Sequence, residues 1–522
     1  MVRNILFIMA DQLRRDHLSC YGARHLDTPN LDALAADGVR FERAYVQGPV
    51  CGVSRMSAYT GRYMSTHGSN WNFVPLPLHN PTMGSLLRPQ GLRVAVVGKT
   101  HIAGDAEGLR RFGADPVRGD GLLAHQGGFE PYERDDGLWP GPRMPADQGY
   151  ARYLRAQGFG GDNPWHDWAN SARGVHGEVL SGWEMRHAHL PAAVPEEHSE
   201  TAWMTRRAMD FIDECGEQPW CLHLSYIKPH WPYVAPDPYH ALYREADLPA
   251  PVRSAAERDN PHPVMRGFQS YVASRNMSDD AMRRHVLPAY MGLTRQIDDH
   301  LGRLFAHLKH TGRWDDTLIV FCSDHGDYLG DHWLGEKELF HDPVAAVPLI
   351  VRHPGASARR GVSEPELVEL IDLLPTFLDA IGAEVPDHLL EGRSLVPLLL
   401  QGQPRPAPRE LAVSEGDYAF RSFVREPLNQ PADRCRMFMI RSERWKYIHY
   451  EGLPPQLFDL LDDPQELVDR GRDPGLASVR DEHFAALFDW LRTRAIHPTV
   501  SHQAMADWTA KEHRVGIHIG VW

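Results

Sequence analysis

The sequence predicts an α/β protein: a large mixed, mostly parallel sheet sandwiched by helices, with a smaller antiparallel sheet toward the C-terminus. Three observations carry this. Short apolar runs end abruptly in polar residues, stripes of helical period lie between them, and the texture changes to closely spaced short strands from about residue 405. A chain of 522 residues also exceeds the usual size of one hydrophobic core. The expected division is therefore 1–404 for a catalytic α/β domain and 405–522 for an α+β subdomain.

The first run, Asn4-Ile5-Leu6-Phe7-Ile8-Met9-Ala10, stops at Asp11. Continuous apolar character over so short a stretch fits a strand buried on both faces, as in parallel sheets. It is too short to cross a bilayer and lacks the small-residue cleavage site of a secretory signal, so the expected location is cytoplasmic. Next, Thr28 and Pro29 suit the N-cap and first turn of a helix whose apolar face is Leu31, Leu34, Ala35 and Val39, with Gly38 marking the end. Val94-Ala95-Val96-Val97 reads as a strand running into Gly98-Lys99-Thr100-His101. Residues 103–198, rich in Gly, Trp, His and Pro, are expected to form long loops and short helices over the site.

Further on, Ile297, Leu301, Leu304 and Leu308 line a helix face, and Thr317 to Cys322 forms a buried strand ending in Ser323-Asp324-His325-Gly326. Open sheets of this class bind ligands beyond the carboxyl ends of their strands. Asp11, Lys99, His101, Asp324 and His325 all fall at such ends. Past residue 405, Met437–Ile440, Trp445–Ile448 and Leu457–Leu460 read as antiparallel strands, followed by a helix around His483–Arg492. The tail, Ser501 to Trp522, shows no core face, and we expect it to wrap a neighbouring subunit in a homo-oligomer.

Net charge is −14, which argues against nucleic acid or an anionic membrane as the main partner. An anionic substrate then requires positive charge gathered in a pocket. The six cysteines, at 20, 51, 215, 221, 322 and 435, have no paired spacing. Buried, reduced thiols account for five of them; Cys51 stands apart through its neighbours.

Cys51-Gly52-Val53-Ser54-Arg55 is followed by Thr60-Gly61-Arg62. The interval from Cys to Arg is too short for a tyrosine-phosphatase loop, and no Gly-x-Ser-x-Gly elbow for a Ser-His-Asp hydrolase occurs in the chain. Taken with Asp11-Gln12, Gly98-Lys99-Thr100-His101, Lys228-Pro229-His230, Asp324-His325-Gly326 and Gly335-Glu336-Lys337, the segment resembles the type I sulfatases and phosphonate monoester hydrolases of the alkaline phosphatase superfamily, across most of the chain. In those families the Cys of a Cys-x-Pro-x-Arg motif is oxidised by a formylglycine-generating enzyme. The hydrated aldehyde is the nucleophile.

The resemblance implies a sulfuric ester hydrolase of arylsulfatase type acting on a small-molecule sulfate ester. Cys51 supplies the nucleophile, Arg55 orients it, His101 removes a proton from it, and His230 protonates the leaving group. Asn72, Lys99 and Lys337 hold the transferred group. Asp11, Gln12, Asp324, His325 and residue 51 bind one divalent ion. Oxygen donors suit Ca²⁺, whereas the His325 imidazole shifts preference toward Mn²⁺.

Two departures keep alternatives open. Gln12 and His325 resemble the phosphonate branch, which allows a phosphonate monoester hydrolase or phosphodiesterase with the same site. Val53 stands where Pro is usual, which allows a catalytically silent anion-binding protein with Cys51 unmodified. A two-zinc phosphatase would need further His and Asp ligands.

Overall fold

A computed structural model describes residues 2–141, 148–243, 248–405, 407–494, 499–508 and 514–516. The chain builds a main sheet from β1 (Asn4–Asp11), β2 (Val39–Tyr45), β3 (Arg93–Gly98) and β4 (Glu130–Arg134). After a small hairpin, β5 (Ser171–Arg173) and β6 (Val179–Ser181), the sheet is completed by β7 (Trp220–Pro229), β8 (Thr317–Ser323), β9 (Ala346–Arg352) and β10 (Val362–Glu369). The spatial order is β10-β2-β9-β8-β1-β7-β3-β4. Only β9 runs against its neighbours, so the sheet is mixed and mostly parallel, as expected.

The apolar run Ile5–Ala10 within β1 follows from its central place: all eight residues of the strand are buried, between β7 and β8. Ile5, Phe7 and Met9 face one core layer, and Leu6, Ile8 and Ala10 face the other. The long helix Asp280–His310 covers the second face, with Ile297, Leu301, Leu304 and Leu308 buried on it. Among the described residues no helix is long and apolar enough to cross a membrane.

The helix Pro29–Ala36 buries Leu31, Leu34 and Ala35 as its spacing requires, but two details differ from expectation. Val39 belongs to β2, and the Thr28 hydroxyl makes no cap bond. Thr28 Oγ1 instead accepts from the Ser19 backbone N–H at 3.0 Å, which ties down the preceding turn. Residues 103–198 hold short helices and the β5–β6 hairpin, yet also contain the edge strand β4, whose charged residues and proline conceal it.

The second sheet is antiparallel, in the order β11 (Ala412–Asp417), β12 (Arg436–Arg441), β13 (Trp445–Tyr450) and β14 (Gln456–Asp459). It shares a core with the main sheet through Met437, Met439 and Ile448 against Tyr45, Phe340 and Val344. The helix Ala477–Arg492 follows. Half of the tail from Ser501 to Trp522 lies outside the described residues; the helix His502–Trp508 is its main described part.

Two buried histidines make stability pH-dependent. His223, stacked on Phe7 at 4.4 Å, has its pKa lowered from 6.5 to about 3 by burial and by Arg55. His67 falls likewise to about 3 through burial, Arg494 and Arg62. Both stay neutral when folded, whereas the unfolded chain takes up a proton at each below its ordinary value. Stability is therefore whole above that value and drains as pH falls from 6.5 toward 3. Each group contributes up to about 1.4 kcal/mol per pH unit over the window. Melting temperature measured from neutral pH downward should decline, with a shallower slope in His223→Gln; equal slopes would contradict the assignment.

Candidate active site

Four adjacent strands deliver the site. Asp11 ends β1, Asp324 and His325 follow β8, His230 follows β7, and Lys99 follows β3. Because these strands are parallel, their carboxyl ends share one edge of the sheet, and residues remote in sequence converge there. Gly98 makes the last of these turns possible: its φ is +100°, and a Cβ would stand 2.0 Å from the Ser225 carbonyl oxygen.

Cys51 opens the helix Cys51–Thr60, in which every residue is buried. The helix has no side-chain N-cap of its own. Asn72 takes that role, its Oδ1 accepting from the Gly52 N–H at 2.7 Å. A Cβ on residue 52 would meet the Asn72 Cα at 2.9 Å, so only glycine permits this approach. Val53 packs with Val50 and Met64 in a small apolar cluster.

Charge surrounds the thiol. Cys51 Sγ lies 3.1 Å from His325 Nε2, 3.4 Å from Lys337 Nζ, 3.8 Å from Asp11 Oδ1 and 4.0 Å from Lys99 Nζ. Burial alone would push this thiol up; Lys337, Lys99 and His325 outweigh it and hold the thiol well below the ordinary range. The other five cysteines are all pushed up, first by burial. All six are free thiols, and Cys51 alone is activated.

Asp11, Cys51, Asp324 and His325 place their ligand atoms within 4.8 Å of one another. This buried group could hold a metal ion, and the second contact of His325 supports the fit. Its Nδ1 donates to the Gly326 carbonyl oxygen at 2.9 Å, so Nε2 is the ring nitrogen turned toward the group, and on binding a cation it would give up its proton and offer its lone pair. Gln12, at φ +64°, adjoins it: its N–H donates to Asp324 Oδ1 at 3.0 Å and its Oε1 accepts from Lys337 at 2.8 Å.

Arg55 is wholly buried and all its partners lie within the site's frame. Nε donates to Asp324 Oδ2 at 2.8 Å, Nη2 to Asp11 Oδ2 at 3.3 Å, and Nη1 to Ser225 Oγ at 2.7 Å and the Lys99 carbonyl at 2.9 Å. The guanidinium thus aligns the two carboxylates. Lys99 pairs with Asp11 at 2.5 Å.

His230 Nε2 lies 2.9 Å from Lys337 Nζ, while its Nδ1 meets the Trp231 carbonyl at 2.7 Å. Burial and then Lys337 lower its pKa to about 3. His101, at φ +53°, is lowered by burial and by Lys99, and packs edge-on against Phe73 with centroids 4.8 Å apart.

Sequence reasoning missed two acids. Asp136 accepts from the backbone N–H groups of Thr100 at 2.7 Å and His101 at 2.9 Å, pinning the turn after β3. It arrives from the edge strand β4, and nothing in its neighbourhood in the chain marks it. Asp327 accepts from Gln12 Nε2 at 2.5 Å and from the Tyr233 hydroxyl at 2.5 Å. Its place three residues after Asp324, in the same polar segment, was the available signal.

Carboxylates, an imidazole and an activated thiol at the carboxyl edge of this sheet, with two lysines over the thiol, define a hydrolase of the alkaline phosphatase superfamily. The chain belongs to the sulfatase family: the family's model, described as Sulfatase, matches residues 3–383, and one described as N-sulphoglucosamine sulphohydrolase, C-terminal, matches residues 330–490. A multifunctional alkaline phosphatase superfamily protein, PehA of Trinickia caryophylli, is 33% identical over 94% of this chain and 96% of its own. A choline-sulfatase of Rhizobium meliloti is 29% identical over 90% of this chain and 83% of its own. Among solved structures, the phosphonate monoester hydrolase of Silicibacter pomeroyi superposes with a TM-score of 0.82 at 28% identity, covering 96% of this chain and 98% of that one.

Proposed function

We propose that the protein hydrolyses monoanionic sulfate monoesters at residue 51, with Cys51 oxidised to formylglycine by a maturation enzyme and one divalent ion, Ca²⁺ or Mn²⁺, held by Asp11, Gln12, Asp324 and His325. The observation that carries this reading is the convergence of Lys337, Lys99 and His325 on Cys51 Sγ, which stands where the attacking oxygen would lie. The bound cation would supply positive charge that lowers the pKa of an adjacent hydroxyl and stabilises charge on the transferred group.

The chain's own residues do the rest. Lys99 and Lys337 bind the non-bridging oxygens, and Asn72 orients the group from the helix terminus. His230 is hydrogen-bonded to Lys337 at 2.9 Å and gives a proton to the departing alkoxide, regaining one from water once the alcohol has left, while Lys337 keeps its charge on the non-bridging oxygens. His101 removes a proton from the hydroxyl left on residue 51, which releases sulfate. The tail from Ser501 serves, in this reading, a homo-oligomer.

The likeness to phosphonate monoester hydrolases, together with Gln12 and His325, favours a second reading in which phosphonate monoesters or phosphate diesters are preferred. Both substrate classes are monoanions, so one site admits both and preference rests on geometry around Lys99, His101 and Asn72. We expect an aryl sulfate to exceed an aryl phosphonate and a phosphate diester with the same leaving group in kcat/KM. A tenfold or greater advantage for the phosphorus esters, about 1.4 kcal/mol in transition-state binding, would transfer the assignment to the second reading. In His101→Ala, covalent ester should accumulate on residue 51, because release slows more than formation.

A further inference from the structure

Lys337 stands between two residues of unusual backbone. Glu336 has φ +63° and Glu338 φ +95°, the left-handed region that side chains other than glycine rarely adopt. Such a loop keeps its shape only if both flanks are held. The first flank is held by its carbonyl, which accepts from the Tyr328 N–H at 2.8 Å. The second is held from the C-terminal region: Arg421 grips the Glu338 carboxylate with two donors, Nε at 2.8 Å from Oε2 and Nη2 on Oε1.

Arg421 is itself fixed in orientation. Its guanidinium lies 5.1 Å from the Trp71 ring centroid, 5.8 Å from Phe423 and 5.9 Å from Tyr271. Trp71 stacks on Phe420 at 5.0 Å, and Asn70 Nδ2 donates to Asp417 Oδ2 at 2.7 Å. A planar fork stacked among rings and bonded twice to one carboxylate has a single favourable position. Glu338 is buried.

We propose that Arg421 is a positioning residue for Lys337: through Glu338 it sets the strained loop that aims the lysine ammonium at residue 51. It touches no reacting atom. The proposal rests on the substrate role assigned to Lys337 above.

The test is a double-mutant cycle on the matured enzyme with an aryl sulfate, using Arg421→Met, Lys337→Ala and the pair, with melting temperatures in parallel. Arg421→Met should lower kcat/KM by about 10-fold or more, yet change it less than about 2-fold when Lys337 is already alanine. Arg421→Lys keeps the charge without the fork and should fall between wild type and Arg421→Met. Glu338→Gln provides the same cycle from the other side should Arg421→Met fold poorly. Equal losses in both backgrounds, or no loss in the single variants, would overturn the positioning role. Full activity in Lys337→Ala would instead sink the substrate role of Lys337, so the two failures are distinct.

Discussion

Cys51→Ala should lose on the order of 10⁴-fold or more in turnover while its melting temperature stays within about 3 °C of wild type. The loss is large because position 51 supplies the bond-forming atom, and neighbouring charge has nothing to activate once that atom is gone. The stability cost is small because the thiol is held by charges and polar atoms, not by apolar packing: its contacts are His325, Lys337, Asp11 and Lys99. Near wild-type activity in this variant would end the nucleophile assignment. Intact mass of the peptide carrying residue 51 separates the silent reading from the active one, since oxidation to formylglycine replaces the thiol by a carbonyl oxygen and a lighter side chain. Val53 bears on this directly. In the folded protein it is an ordinary buried helix residue, so any penalty for lacking proline falls on recognition of the chain before folding.

Metal removal is expected to have the second largest effect. Exhaustive chelation should reduce kcat by roughly 10³-fold or more, with recovery on adding Ca²⁺ or Mn²⁺, because charge stabilisation at the transferred group is commonly the largest catalytic contribution. Asp11→Asn and Asp324→Asn should lose bound metal in elemental analysis, while the fold persists through the sheet that carries them. The carboxylates do not depend on the ion alone: Arg55 bonds both of them, and Lys99 pairs with Asp11. Burial and the Cys51 charge raise the Asp11 pKa, yet Lys99 and Arg55 hold it well below the carboxylate range. A preparation with no divalent metal and full activity in the presence of chelator would count decisively against the metal-centre reading.

Several elements were legible before any coordinates. Strands buried on both faces must be apolar throughout, so β1, β3 and β8 stood out from the chain, and polar residues at their ends marked the functional edge of the sheet. The strand β4 did not stand out, since at the edge of the sheet its half-solvated face tolerates Glu130, Glu133 and Arg134. The strand β9 carries Pro348 and runs antiparallel between β8 and β2, and neither property follows from its composition.

The sequence by itself determined the kinds of side chain available for chemistry, the strand ends that carry them and the family to which the chain belongs. Local order suffices there, because apolar runs and the polar residues that stop them are contiguous. Only the tertiary structure decided who meets whom. The order β8-β1-β7-β3 brings together residues separated by hundreds of positions, gives Arg55 to the two carboxylates, recruits Asp136 from an edge strand and sets Arg421 against Glu338. Such contacts arise from strand pairing and packing across the whole chain, and pairing between distant strands leaves no periodic mark in the residues that are paired.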